Sequence, residues 1–429
     1  MVKLNQIYNE VDNLTSETIL KILNNLISIK TVVPPAKNYR EYVDMIKPYF
    51  EQLNFENEEI TLPEELVEKI PYSLEGPRIN LVSTKNNNKN QWVTFYGHMD
   101  VVPAPSQGKE KWRFDPFKAN MIKSGKIYGR GAADMKGSMA CLILALQIIE
   151  KLNLTPKYNL KIVNCTDEEI GIYPGVRYLA EQGYLKGIIF CMEGVVEPII
   201  VVGCAGALNV EVETIGRSCH SGMNFMGVNA LEEMVPILVE LIKLKRIVEQ
   251  RESVDIPGLP RFGTAEQQNM TPMFNLDIIR SGEKPNIVPD SCKLTINRRL
   301  IPDENINDVK DEIKQAIMKG KEKSKALDVK ITFKYNYPPV RMDSNGLGVT
   351  RIKEVIKKVQ NIPEDKLRIL GMSGSTDMGF VSEIMNKDDI IFHGVGNVGS
   401  NAHGVNETIK LKDIRTYIKE LIVFLCVDL

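Results

Sequence analysis

The pattern of apolar and polar positions changes character near residue 206 and changes back near 338. In the outer parts, short runs that are apolar at almost every position alternate with longer segments of helical period. Residues 16 to 30 and 40 to 53 repeat apolar side chains three and four apart, the spacing of an amphipathic helix. Residues 91 to 96, 160 to 165, 187 to 194 and 389 to 396 are compact apolar runs bounded by glycine or polar residues, which predicts buried strands. "MKGSMACLILALQIIEKL", residues 135 to 152, is apolar on nearly every face and predicts a buried helix. Further helices are predicted near 174 to 182 and over 411 to 426. Strands alternating with helices predict an α/β fold, a three-layer arrangement around a mostly parallel central sheet.

The middle reads differently. "LNVEVETIG" (208 to 216) alternates polar and apolar, as a strand with one wet face does. A helix over 229 to 249, the strands "PMFNLDIIRSG" and "SCKLTINRRL", a helix over 305 to 322 and the strand "DVKITFKYN" follow. The order β-α-β-β-α-β is that of the ferredoxin-like unit. The expected organisation is therefore a discontinuous α/β domain, 1–205 and 338–429, carrying an inserted α+β domain, 206–337.

Composition narrows the function. The chain has 429 residues, enough for two cores, and its 54 basic and 55 acidic side chains leave a net charge of −1. That balance argues against a dedicated nucleic-acid binder, which would usually carry a basic surface. No apolar run reaches the roughly 18 residues of a membrane span, and the N-terminus lacks an apolar signal core. Seven cysteines, without a CxxC pair and odd in number, are expected as thiols in a cytoplasmic protein.

One stretch resists a bland reading. "NCTDEEIG" sets Asp167, Glu168 and Glu169 side by side directly after an apolar run, although like charges repel and raise one another's pKa. A solvated turn is the ordinary explanation of such a triplet. The chain has only four histidines, His98, His220, His393 and His403. His98 ("YGHMDVVP") and His403 ("SNAHGVNE") sit in polar, glycine-flanked loops, Asp134 precedes the buried helix in "GRGAADMKG", and Glu193 ends a strand in "CMEGV". "GRGAADMKG" lacks the spacing of a phosphate-binding glycine loop. Two imidazoles and several carboxylates at the ends of apolar elements suit a pair of divalent metals with mixed N/O ligands. Two such cations also make adjacent carboxylates favourable. One glutamate of the triplet can then be a ligand while its neighbour acts as a base.

"GHMDVVP", "WRFDPFKA", "GKIYGRGAADMKG", "TDEEIG", "HSGMNFMGVNA", "PNIVPD", "RRLIPDE", "GSTDMGF" and "NAHGVNE" together resemble the zinc-dependent aminoacylase family, over roughly residues 90 to 410. That family includes acetylornithine deacetylase, succinyl-diaminopimelate desuccinylase and glutamate-releasing carboxypeptidases. The resemblance implies a catalytic α/β domain with a ferredoxin-like lid that also dimerises, and two Zn2+ ions, with Co2+ or Mn2+ as alternatives. It implies His98, Asp134 and Glu193 on one metal and Asp134, Glu169 and His403 on the other, with Asp134 bridging. Asp100 is expected to orient His98, Glu168 to be the general base, and the Asp134–Met135 peptide to be cis. His220 matches an oxyanion-stabilising histidine supplied by a partner subunit. Asn286 and Arg299, expected on neighbouring strands, match residues that hold the substrate carboxylate, and Gly374 and Ser375 match the glycine-rich substrate loop.

There are departures. "NRRLIP" has Asn297 where the family pattern has aspartate, which leaves Arg298 and Arg299 as rival carboxylate binders. "MSGSTDMGF" matches neither the desuccinylase nor the acetylornithine form, and His393 is expected as core or pocket wall. The implied protein is a cytoplasmic, homodimeric, dinuclear zinc amidohydrolase that cleaves an N-acyl amino acid, with a carboxypeptidase or dipeptidase as the alternative. A non-catalytic binding relative is the reading from another class. The presence of Glu168 together with all five candidate ligands stands against it.

Overall fold

A computed structural model of the chain describes residues 4–105, 111–259 and 268–429. They divide into two compact units, one made of the described residues within 1–201, 342–369 and 380–429, the other of those within 202–341 and 370–379.

The first unit is built on a six-stranded sheet in the order Glu56–Thr61, Ile79–Lys85, Asn159–Cys165, Trp92–His98, Ile188–Cys191, Ile390–Phe392. The last four are parallel neighbours, and the first two are added antiparallel at one edge. All seven residues of Asn159–Cys165 are buried, which is why that strand shows no polar alternation. The helix Lys136–Lys151 is buried nearly all round, packed against Trp92–His98 and between the helices Ser16–Ser28 and Leu411–Cys426. The four parallel strands point the same way, so the residues that follow them gather along one edge, where α/β sheets place their sites. His98, the triplet 167–169, Glu193 and His393 all lie at or just after those C-terminal ends.

The second unit is a four-stranded antiparallel sheet in the order Met273–Ser281, Ser291–Leu300, Gly206–Ile215, Asp328–Tyr337. The helices Ala230–Val248 and Ile306–Lys321 pack on each other and on one face of it. Asn229 and Asn305 cap these helices with their side-chain oxygens. Leu208, Val210, Val212, Ile237, Leu241, Phe274, Ile296 and Ile313 form the core beneath the helices. At about 1.5–3 kcal/mol per buried aliphatic or aromatic side chain, such a core fixes the register of every strand that feeds it. Along Ser291–Leu300, Cys292, Leu294, Ile296, Arg298 and Leu300 are buried, and Lys293, Thr295, Asn297 and Arg299 occupy the opposite face.

Two expectations change. Residues 370–379, which carry "GSTDMGF" as far as Gly379, belong with the inserted unit rather than the outer one. Backbone pairing explains it: the Ala205 amide donates to Met372 O and Gly374 O at 3.0 and 3.1 Å, and the Gly371 amide to Pro257 O at 2.6 Å. Asn286 is not on a strand. It lies in the turn between Ser281 and Ser291, where Gly282 (φ +71°), Pro285 and Pro289 interrupt the sheet.

Candidate metal centre

The centre of the site is Asp134. It sits in the tight segment that feeds the buried helix, and its peptide to Met135 is cis. A side chain at Gly137 would place its Cβ 1.9 Å from Ala132 O, so the segment can fold this closely only with glycine there. The two Asp134 carboxylate oxygens meet two different imidazoles: Oδ1 is 3.1 Å from His98 Nε2, and Oδ2 is 3.1 Å from His403 Nε2. His403 Nε2 is also 3.0 Å from Glu169 Oε2. Ligand atoms of His98, Glu168 and Glu169 lie within 4.8 Å of one another, as do those of Asp134, Glu169 and His403. Carboxylate oxygens of Glu168 and Glu193 are equally close.

The three acids of the triplet point in three directions. Asp167, in the left-handed conformation at φ +63°, turns inward. It accepts a hydrogen bond from Tyr39 OH (2.8 Å) and faces the buried Arg78 guanidinium at 3.6 Å. Burial pushes its carboxyl up to about 6, with Arg78 pulling the other way. Glu169 turns to His403, and Glu168 to the space shared with His98 and Glu193. The backbone between them is gripped by Asp100, whose two oxygens accept from the amides of Glu168 (3.3 Å) and Glu169 (2.9 Å). Asp100 also holds His98, with its carbonyl oxygen 3.0 Å and its carboxylate 3.6 Å from Nδ1.

The electrostatics are those of a cation site. Burial works against a charge on His98, but hydrogen bonds to Asp100 and Asp134 raise its pKa well above the ordinary range. Asp134 and then Glu169 push His403 up to about 10. Burial would raise Asp134 as well, yet His403 and His98 hold it below the usual carboxylate range. Burial, and then the nearby Asp134 charge, raise Glu169. Two imidazole nitrogens among crowded carboxylate oxygens, one carboxylate serving two imidazoles, form a donor set that suits zinc, cobalt or manganese.

Residues 94–425 match the family described as peptidase family M20/M25/M40. The chain belongs to that family. A probable succinyl-diaminopimelate desuccinylase of Staphylococcus aureus is 28% identical over 365 residues, 81% of this chain and 84% of its own length. The M20 metallo-carboxypeptidase Sso-CP2 from Sulfolobus solfataricus shares the fold at a TM-score of 0.76 and 22% identity, over 95% of this chain and 98% of that one. Human carnosine dipeptidase 1 does so at 0.71 and 20% identity, over 98% of each chain. This M20 protein is accordingly a metal-dependent enzyme that hydrolyses amide bonds.

Two residues with no assigned role hold the M20 site together. Glu407, the last letter of "NAHGVNE", is fully buried and accepts from the amides of Gly131 (3.0 Å), Ala133 (2.7 Å) and Asp134 (3.1 Å). Its partner Arg130 donates Nη1 to Glu407 at 2.7 Å and Nη2 to the carbonyls of Pro103, His403 and Gly404 at 3.1–3.2 Å. Together they clip the loops that carry Asp134 and His403. The latter stands at φ +64°, a strained conformation for a bulky side chain. His393, at the same sheet edge, is core: it is buried and pairs with Glu420 at 2.8 Å.

In the inserted unit the candidate residues form two pairs. His220 is exposed and accepts from the Gly222 amide through Nδ1 (3.1 Å), and Asn286 O accepts from the next amide, Ser221 N, at 3.0 Å. Arg299 donates Nη1 to Ser375 Oγ at 2.6 Å, beside the exposed Gly374. Arg298 is fully buried, ion-paired with Glu304 and 3.9 Å from Glu312. Of the two arginines, Arg299 is the one that is not fully buried and that meets no carboxylate among the described residues.

Proposed function

We propose that this protein removes the acyl group from an N-acyl amino acid, with two zinc ions in the Asp134 cluster. The observation that carries the reading is the double engagement of Asp134, one oxygen to each imidazole at 3.1 Å, with Glu169 on one of them and Glu168 alongside. His98, Asp134 and Glu193 would hold one ion, and Asp134, Glu169 and His403 the other. When bound, such a pair would polarise the scissile carbonyl and lower the pKa of a bound water. The protein's own residues do the rest. Glu168 takes the water proton and returns it to the leaving nitrogen. Asp100 fixes both the His98 ring and the backbone from which Glu168 projects. Arg299, with Ser375 and Asn286, holds the α-carboxylate, and His220 stabilises the oxyanion from a partner subunit.

A homodimer is part of the proposal. Leu231, Val235, Val239 and Ile242 recur along one side of Ala230–Val248 and are 39–51% exposed, a stripe that a solvated helix rarely carries. Among the described residues the strand Met273–Ser281 is an edge with one pairing partner, and it exposes Ile278 and Ile279. Light scattering should report a dimer, and Val239→Asp a monomer. A cytoplasmic setting is supported by seven free cysteines, five of them buried. Among the described residues no helix is long and apolar enough to cross a membrane.

The test is a cleavage panel of N-acetyl-, N-succinyl- and N-formyl-amino acids beside dipeptides, with zinc-loaded protein. Fastest turnover of an N-acyl amino acid is expected. Turnover of dipeptides alone replaces the deacylase by a dipeptidase or carboxypeptidase.

A further inference from the structure

Arg299 is a cation held entirely by neutral groups. Its Nε donates to Asn297 Oδ1 at 3.1 Å and its Nη1 to Ser375 Oγ at 2.6 Å. Among the described residues no carboxylate pairs with it, whereas its neighbour Arg298 lies on the buried face against Glu304. A guanidinium has five N–H donors in a planar fork, and these two bonds use two of them. Its Nη2 edge has no partner among the described residues, so the side chain is fixed in place without being neutralised.

What fixes it is a second asparagine. Asn297 and Asn209 are cross-strand partners, and the Asn297 Nδ2 donates to Asn209 Oδ1 at 2.9 Å. An amide offers an oxygen on one side and an NH2 on the other. Because its NH2 is committed to Asn209, Asn297 turns its oxygen to Arg299. An aspartate at 297 would differ by one atom and would close a charge-assisted pair with the same Nε, weakening the positive field that a ligand would otherwise meet.

We infer that Asn297, oriented by Asn209, is a specificity-determining residue: it positions Arg299 through a neutral acceptor and so reserves the guanidinium charge for the carboxylate of the substrate. This rests on the carboxylate reading given under Proposed function. The preference it sets is for a free acid over the corresponding carboxamide, ester or alcohol.

The experiment compares kcat/KM for the best substrate of the cleavage panel and for its α-carboxamide, using full-length, metal-loaded protein. The wild type is expected to favour the acid by at least about a hundredfold. Asn297→Asp should cut that preference by about tenfold or more, through a higher KM for the acid, while amide turnover and the thermal midpoint stay close to wild type. Asn297→Ser, which adds no charge, should keep most of the preference. Asn209→Asp puts the new charge one residue further away and should lower the preference by only about threefold. A folded Asn297→Asp that retains the wild-type preference, or that loses acid and amide turnover alike, overturns the inference. If Asn297→Asp does not fold, an unchanged preference in Asn209→Asp overturns it. Failure of the carboxylate reading itself is distinguishable, because it appears in the wild type as equal turnover of acid and amide.

Discussion

The two units hold opposite imbalances of charge. In the first, the carboxylates of Asp134, Glu168 and Glu169 crowd around two imidazoles with Glu193 close to Glu168, and two buried cations of the same unit are spent elsewhere: Arg130 on Glu407 and Arg78 on Asp167. In the second, a half-buried arginine is surrounded by amides and a hydroxyl. Neither arrangement is what folding alone favours, since like charges in contact and unpaired buried cations both cost stability. Each is kept by a scaffold of hydrogen bonds that restrains the groups without neutralising them, Asp100 and Glu407 in one unit and Asn297 with Asn209 in the other. The lesson is that a site can be recognised by the charge a fold withholds from compensation. An excess of acids calls for cations, and an isolated guanidinium calls for an acid.

That contrast can be broken from either side. The largest effect on turnover is expected at Asp134, the proposed shared ligand. Asp134→Ala should lose both metals by elemental analysis and bring activity to background, as should 1,10-phenanthroline on the wild type, with zinc, cobalt or manganese restoring the latter only. Next comes the arginine of the inserted unit. Arg299→Ala should lower kcat/KM for an acid substrate about a hundredfold and barely change it for the amide, because in the variant neither has a partner to lose. Glu407→Gln should follow, with metal affinity reduced about tenfold in a chelator competition and secondary structure unchanged by circular dichroism, as expected for a group that holds a ligand's backbone. Arg298→Ala should affect turnover least. It strips a fully buried cation from Glu304 and Glu312, so its cost of ~3 kcal/mol should appear in denaturant unfolding while the acid-to-amide ratio holds. A collapsed ratio in Arg298→Ala would exchange the parts given to the two arginines.

Much of this was legible in the sequence, for a physical reason. Parallel strands buried on both faces read as unbroken apolar runs, and the polar residues that end them stand out against that background. His98, Asp134, the triplet, Glu193 and His403 are all visible in this way. What stayed hidden depends on partners far along the chain. Glu407 belongs to a quoted motif, but its bond to Arg130 spans 277 positions. Asp167 finds Tyr39 across 128 positions. The strand Glu56–Thr61, "ENEEIT", is disguised by the charges that protect a sheet edge. Alternation along a strand puts Arg298 and Arg299 on opposite faces, but only the helices packed on one side decide which face is wet. Asn286 was misplaced because a turn with two prolines and a glycine follows directly on a strand pattern.

The claim that organises everything else is the division of labour between adjacent glutamates, and counting metals tests it most directly. Elemental analysis of the wild type, Glu168→Gln and Glu169→Gln, each purified with saturating zinc and desalted, gives the number of ions per chain. The account predicts two in the wild type and two in an inactive Glu168→Gln, with one or fewer in Glu169→Gln. Equal loss from both variants would contradict it, for Glu168 would then be a ligand and the proton would have to be carried by another residue.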